Sequence, residues 1–170
     1  MMKVIFLDVD GVLDSNNYFT ETNMNYMTDP VDMKAVARLA KIVEATGARL
    51  VLSSSWRHGW DHNYGKVRYE CKLLMKALAE YGMRIYDKTG TALKFDRAQE
   101  VKDWLRDHRK QVDSFLILDD CNFGWKQNHL HKRWLQTDFN NWGLIDEDIP
   151  KAIRILNKRV SWLEWKVLGL

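Results

Sequence analysis

The apolar run Val4-Ile5-Phe6-Leu7 continues directly into Asp8-Val9-Asp10-Gly11. A short continuous apolar run of this kind reads as a strand buried on both faces. Such a strand can end in two carboxylates only where its backbone leaves the sheet for a polar edge. The pattern recurs at Phe115-Leu116-Ile117-Leu118, which stops in Asp119-Asp120. Two strand ends of this type, side by side in a parallel sheet, concentrate the oxygen ligands that hold magnesium and leave a carboxylate over for chemistry.

Between these strands the apolar period switches from continuous to helical. Asp29-Pro30-Val31-Asp32 reads as a helix start, Val36, Leu39, Ala40 and Val43 form the stripe that follows, and Gly47 ends it. Arg49 to Leu52 is a strand running into Ser53-Ser54-Ser55. Val67, Cys71, Leu74, Leu78 and Tyr81 mark a second helix closed by Gly82, Met83 to Tyr86 a third strand, and Asp96 the cap of a helix carrying Ala98, Val101 and Leu105. Asp14 to Thr28 reads as a polar, asparagine-rich loop. From Asp148 onward, Ile149, Ile153, Leu156, Val160, Leu163 and Val167 read as one helical stripe. Alternation of strand and helix predicts an α/β fold, a parallel sheet with helices on both faces. No linker or repeat divides the chain, so residues 1–170 are expected to form a single domain.

Composition narrows the setting. With 46% hydrophobic and 29% charged residues in 170, the chain has enough apolar side chain for a core and is not of the disordered class. A net charge of +3 admits an anionic substrate without demanding nucleic acid. The two cysteines, Cys71 and Cys121, form no CxxC pair and no disulfide framework. The chain enters a strand at once and holds no apolar stretch of membrane-spanning length. A soluble cytoplasmic protein with no membrane partner is expected.

In a parallel α/β sheet the residues that follow each strand meet at the carboxyl edge, which gathers Asp8, Asp10, Ser53, Asp119 and Asp120. This set resembles the haloacid dehalogenase superfamily of phosphohydrolases: a DxDG motif at Asp8-Val9-Asp10-Gly11, a serine after the next core strand, and an acidic pair after the fourth. Phe6 to Leu13, Val51-Leu52-Ser53-Ser54-Ser55-Trp56-Arg57, Arg97-Ala98-Gln99-Glu100-Val101 before Trp104-Leu105, and Leu116 to Asp120 are similar to the branch of that superfamily found in Swiss Army Knife RNA-repair proteins. Thr137-Asp138 and Gly143-Leu144 also fit it. The resemblance implies a Rossmann-like, HAD-like core. It implies Asp8 as nucleophile, Asp10 as acid and base, and Mg2+ held by Asp8, the Asp10 carbonyl, Asp119 and Asp120. Ser53, with Ser54 beside it, would contact phosphoryl oxygens. The family also implies a cation, more often lysine. Arg97, in the first turn of a helix where positive charge is disfavoured unless it faces an anion, is one candidate and Lys94 the other, with Lys88 and Lys102 behind them.

Related enzymes often carry an inserted cap domain; here Asp14 to Thr28 and Asp87 to Lys94 are too short for one, so the site is expected to lie open to a phosphate on a large molecule. Trp56, Arg57, His58, Trp60, His62 and Tyr64 follow the serine motif, and Phe123, Trp125, Lys126, His129, His131, Lys132, Arg133 and Trp134 follow the second acidic pair. Aromatic faces interleaved with cations suit stacking on bases and contact with phosphates, which makes Trp56 and Arg57 candidate substrate-binding residues. With 8 tryptophans in the chain, packing of the sheet rim is the alternative. The four histidines could hold zinc, but no short ligand motif supports it. The expected function is a magnesium-dependent phosphatase acting on a terminal phosphate of RNA, DNA or a nucleotide. A small-metabolite phosphatase closed by a partner subunit, or a nucleic-acid-binding module with little turnover, are the alternatives; the presence of both Asp8 and Asp10 argues against the last.

Overall fold

The computed structural model describes residues 1–91 and 96–170. Its centre is a five-stranded parallel sheet of β1 (Met2–Leu7), β2 (Arg49–Leu52), β3 (Ile85–Lys88), β4 (Val112–Asp119) and β5 (Trp134–Gln136), in the order β3-β2-β1-β4-β5. The chain lays strands outward on one side of β1 and then returns to the other side. The two acid-tipped strands therefore lie next to each other at the reversal point, where ligands bind in sheets of this class.

Alternate residues of each strand face opposite layers. Ile5, Leu7, Leu50, Leu52, Leu116 and Leu118 join one core with α2 (Met33–Thr46), α3 (Tyr69–Ala79) and α5 (Asp148–Asn157). Val4, Phe6, Val51, Phe115 and Ile117 join the other with α4 (Arg97–Asp107) and α6 (Trp162–Leu168). Burial on both faces is why these strands read as unbroken apolar runs. Two helix ends follow the predicted caps, Asp96 accepting from the Gln99 amide and Gly47 closing α2 at φ 66°; α2 itself starts only after the predicted Asp29–Asp32 start, with Asp32 accepting from the Lys34 amide.

Four sequence expectations change. The polar stretch Asp14 to Thr28 contains a short helix, α1 (Asn16–Thr22), capped by Ser15. Seven residues with Tyr18 as the buried side chain carry no apolar period. The third strand is Ile85–Lys88, two residues later than predicted, because Asp87 and Lys88 sit at the polar lip and not in a loop. Trp134–Gln136, placed by sequence in a loop, begins an edge strand too short to show a period. The C-terminal stripe is two helices. Ser161 caps α6, Val160 donates its amide to the Asp113 carbonyl, and α5 and α6 join different layers. Trp165 and Leu168, not Leu163 (62% exposed), face the core.

Arg133 secures this crossing. Its Nη1 donates to Ser114 Oγ (3.0 Å), the Ile155 carbonyl (3.1 Å) and the Lys158 carbonyl (2.7 Å), while Nε and Nη2 meet the two Glu164 oxygens at 2.6 and 2.9 Å. One buried guanidinium thus ties β4, the end of α5 and α6 together. Arg133→Ala leaves these acceptors without their donor and is expected to cost about 3 kcal/mol, a fall in Tm on the order of 6–12 °C. Arg133→Lys, which keeps charge but loses the fork, should recover only part of it. Thermal unfolding by circular dichroism checks both.

Candidate active site

The parallel ladder pairs Leu7 with Leu118, and the Asp8 amide still donates to the Leu118 carbonyl at 3.0 Å. Asp8 and Asp119 are therefore neighbours at the carboxyl edge, both buried. One nitrogen serves both: Arg97 Nη1 lies 2.6 Å from Asp8 Oδ2 and 2.7 Å from Asp119 Oδ2. The remaining carboxylate oxygens take backbone donors, Asp8 Oδ1 from Val9 (2.9 Å) and Asp119 Oδ1 from Cys121 (2.9 Å). The Phe123 ring lies under the guanidinium at 4.3 Å. Burial pulls the Arg97 pKa down, but Asp8 and Asp119 more than reverse this and carry it above its ordinary value.

The turn after β1 is fixed by its own side chains. Gly11 has φ +77°, and a Cβ there would sit 2.5 Å from Asp120 Cγ, so glycine lets the Asp120 carboxylate lie against the turn. The Gly11 amide donates to Asp14 Oδ1 (2.8 Å), and the Gly11 carbonyl accepts from Thr137 Oγ1 (2.6 Å). Asp10 emerges from this turn partly exposed, and Trp56 Nε1 reaches both of its carboxylate oxygens at 3.2 Å. Asp14 lies buried close enough to Asp10 that the Asp10 charge adds to the burial that raises its pKa.

Five acids meet here, Asp8, Asp10, Asp14, Asp119 and Asp120, with Arg97 as counter-charge, and the crowding shows in raised proton affinities. Burial first, and then the Asp8 charge, raise Asp119 to about 7 and raise Asp10 as well. Asp120 rises through burial. Asp14, buried and facing Asp10, is pushed up to about 8. Excess negative charge of this kind calls for a cation. Asp119, Asp120 and Cys121 form a group able to converge on a metal, but the Cys121 thiol is pushed up to about 11, first by burial and then by Asp120, and stays neutral. The donors are then oxygens, which fit a hard divalent ion such as magnesium.

Ser53 lies at the end of β2, its amide donating to the Leu7 carbonyl at 2.9 Å. Its hydroxyl is fully buried and makes no hydrogen bond within the described residues. Ser54 Oγ instead accepts from the Trp56 amide, capping the 3₁₀ turn Ser55–Gly59. Arg57 departs from its expected substrate contact: it is buried, with Nη2 2.8 Å from Glu100 and Nη1 on the Ser53 and Ser54 carbonyls. Lys88 donates to the carbonyls of Arg57 and Trp60, and Lys102 lies further along α4. Lys94 falls outside the described residues.

The interleaved aromatics are mostly packing. Trp56, Trp60 and Trp125 are buried; Trp125 Nε1 donates to the Cys121 carbonyl and Trp134 Nε1 to the Asp119 carbonyl, so both brace the acidic loop. Among the described residues the histidines form no metal-binding group. Sequence reasoning did not foresee Asp14, Thr137 and Trp56 as supports of the turn after β1. Thr137 and Trp56 stood in the family strings without that role, and Asp14 left only its place directly after Val12-Leu13, six positions past Asp8.

A family profile described as "HAD domain in Swiss Army Knife RNA repair proteins" matches residues 4–149. The chain belongs to that family. No curated protein and no solved structure matches it. Membership supports a HAD-type phosphatase, a phosphorylated substrate and the magnesium use general to the family. The five-stranded parallel sheet, with no large cap among the described residues, agrees with it. No helix among the described residues is long and apolar enough to cross a membrane.

The raised acids fix a pH dependence. A carboxyl whose folded pKa lies above its unfolded value stabilises the fold fully below the unfolded pKa and loses that contribution as pH rises through the folded pKa. For Asp119 (about 7) and Asp14 (about 8) the window runs from about pH 4 to 8. The Tm of metal-free protein should therefore fall as pH rises from 5 to 8.5, and Asp14→Asn should flatten the decline.

Proposed function

We propose that this chain is a magnesium-dependent phosphomonoesterase that removes a terminal phosphate from a nucleic acid or nucleotide. The observation that carries the reading is Asp8 held at the strand end by Arg97, with Asp10 beside it held separately by Trp56. In this reading an Asp8 carboxylate oxygen attacks phosphorus, the bond to the leaving oxygen breaks, and Asp10 gives that oxygen its proton. Water then attacks the aspartyl-phosphate, passes a proton to Asp10 and releases inorganic phosphate and Asp8. Asp10 suits both roles because burial and the Asp8 charge raise its pKa above the ordinary carboxylate value, while the Trp56 N–H keeps its oxygens in place.

Asp8, the Asp10 carbonyl and the Asp119/Asp120 pair would hold magnesium, whose positive charge offsets repulsion between an anionic nucleophile and an anionic phosphate. Arg97 has five N–H donors; one nitrogen holds the two acids and the others can meet phosphoryl oxygens. The unpartnered Ser53 hydroxyl is a further donor. The large-substrate reading rests on family membership among RNA-repair domains and on an edge with no large cap among the described residues.

Asp8→Asn is expected to abolish turnover in magnesium with an unchanged circular dichroism spectrum. Wild-type rates in that variant, or full activity after chelation, would falsify the mechanism. Trp56→Phe keeps the packing but removes the donor to Asp10. It should lower kcat for an alkyl phosphate about tenfold or more and for nitrophenyl phosphate far less, since the latter leaving group barely needs a proton. A phosphorylated oligonucleotide should show a higher kcat/KM than its mononucleotide, with the advantage shrinking as salt rises. Steady-state kinetics over a salt series measures it, and equal values at every salt concentration would favour the small-metabolite alternative.

A further inference from the structure

The side of the site that receives the leaving group is set by Asp10, because the group that protonates the leaving oxygen must lie within hydrogen-bond reach of it. On that side stands an aromatic chain. Trp56 Nε1 holds Asp10, the Tyr26 ring meets the Trp56 ring edge-on (centroids 6.2 Å, 76°), and Phe19 supports Tyr26 at 5.8 Å. Trp56 is buried, but Tyr26 is 46% exposed, between Met24 at 45% and Met27 at 67%. Asp10 is near enough that, after burial, it is the main cause raising the Tyr26 phenol to about 12.

This segment is built rather than loose. The Met27 amide donates to Asn25 Oδ1 (2.8 Å), the Thr28 and Asp29 amides to the Asn25 carbonyl (3.0 and 2.7 Å), and Tyr18 OH to the Asp29 carbonyl (3.1 Å). Asn23, in the left-handed region at φ 56°, ends α1 and turns the chain toward the site. An exposed aromatic ring, with exposed methionines two residues before it and one after it, offers flat, polarizable surface. The wall beyond Asp120 differs. A cavity of about 620 Å³ there is lined by Asp138, Asn140, Asn141 and Asp148, with Phe139 and Lys151.

We propose that Tyr26, flanked by Met24 and Met27, is the stacking platform for the nucleobase of the leaving group, and so the specificity-determining residue of this site. The proposal rests on the phosphatase reading for the identity of Asp10. A sugar phosphate without a base gains nothing from this face, whereas a nucleotide gains one stacking contact, a difference on the order of tenfold or more. Tyr26 takes no part in the phosphoryl transfer itself. The role that Trp56 and Arg57 were expected to play from sequence passes to a residue in the stretch that read as a polar, asparagine-rich loop.

The experiment compares adenosine 5′-monophosphate, adenosine 3′-monophosphate and ribose 5-phosphate on wild type, Tyr26→Ala, Tyr26→Phe and Phe139→Ala, in magnesium. The better adenylate should exceed ribose 5-phosphate in kcat/KM by tenfold or more in wild type. Tyr26→Ala should bring the ratio within twofold without changing turnover of ribose 5-phosphate or acetyl phosphate. Tyr26→Phe should retain the ratio, and so should Phe139→Ala. A ratio unchanged in Tyr26→Ala, or lost only in Phe139→Ala, overturns the proposal while leaving the phosphatase reading intact. If wild type turns over neither these phosphates nor a phosphorylated oligonucleotide, the phosphatase reading fails, and the same ligands titrated by calorimetry give the ratio of Kd values by which the stacking face is judged.

Discussion

Leu7 pairs with Leu118 across the parallel ladder, and from that register Asp8 and Asp119 leave their strands side by side. Two carboxylates in a buried place repel each other and lose hydration, so the edge is unfavourable as it stands. Arg97 answers this with one nitrogen shared between them, held over the Phe123 ring at the start of α4. The balance is incomplete. Asp119 still rises to about 7, and Asp10 and Asp120 are raised too, which keeps the site receptive to a divalent cation. In the proposed function the same charges that cost stability are the ones that bind a divalent cation and carry the chemistry, an exchange of stability for function.

The acids are useful only if the turn that carries them holds its shape. Gly11 provides the positive φ and the missing Cβ that let Asp120 pack against it. From the far side, Thr137 binds the Gly11 carbonyl and the Leu144 amide the Val12 carbonyl. Gly143, at φ +61°, comes so close that a Cβ would meet the Asp14 and Val12 carbonyl oxygens at 2.8 Å. Segments more than a hundred residues apart in sequence thus build one rigid support. That explains why Thr137 and Gly143 belong to the same pattern as the acidic motifs although neither carries out a reaction step.

Arginines that looked like ligand contacts serve the interior. Arg57 pairs with Glu100 between the serine turn and α4, and Arg133 with Glu164 between the turn that precedes β5 and α6. A buried ion pair roughly offsets its own desolvation, so its value lies in geometry: each fixes how two elements meet, and removing one partner leaves a stranded charge. The tryptophans act similarly. Trp125 and Trp134 bury large apolar surfaces and direct their single N–H at carbonyls of the acidic loop.

The fold class, the acid-tipped strands and the helix ends at Gly47 and Asp96 were legible because each depends on local pattern: continuous burial, a helical period, or a side chain bonding its own backbone. Elements without such a pattern were not. The seven-residue α1 and three-residue β5 are too short for any period, and the single C-terminal stripe breaks because α5 and α6 pack on opposite faces of the sheet. Sequence also brought Asp8, Asp10, Ser53, Arg97, Asp119 and Asp120 to one edge, since in a parallel sheet strand ends and helix starts share that edge. It could not rank the cations or the aromatics. Whether an arginine or a tryptophan reaches solvent depends on partners distant in the chain, Glu100 for Arg57 and Asp10 for Trp56, and those pairings exist only once the sheet has assembled.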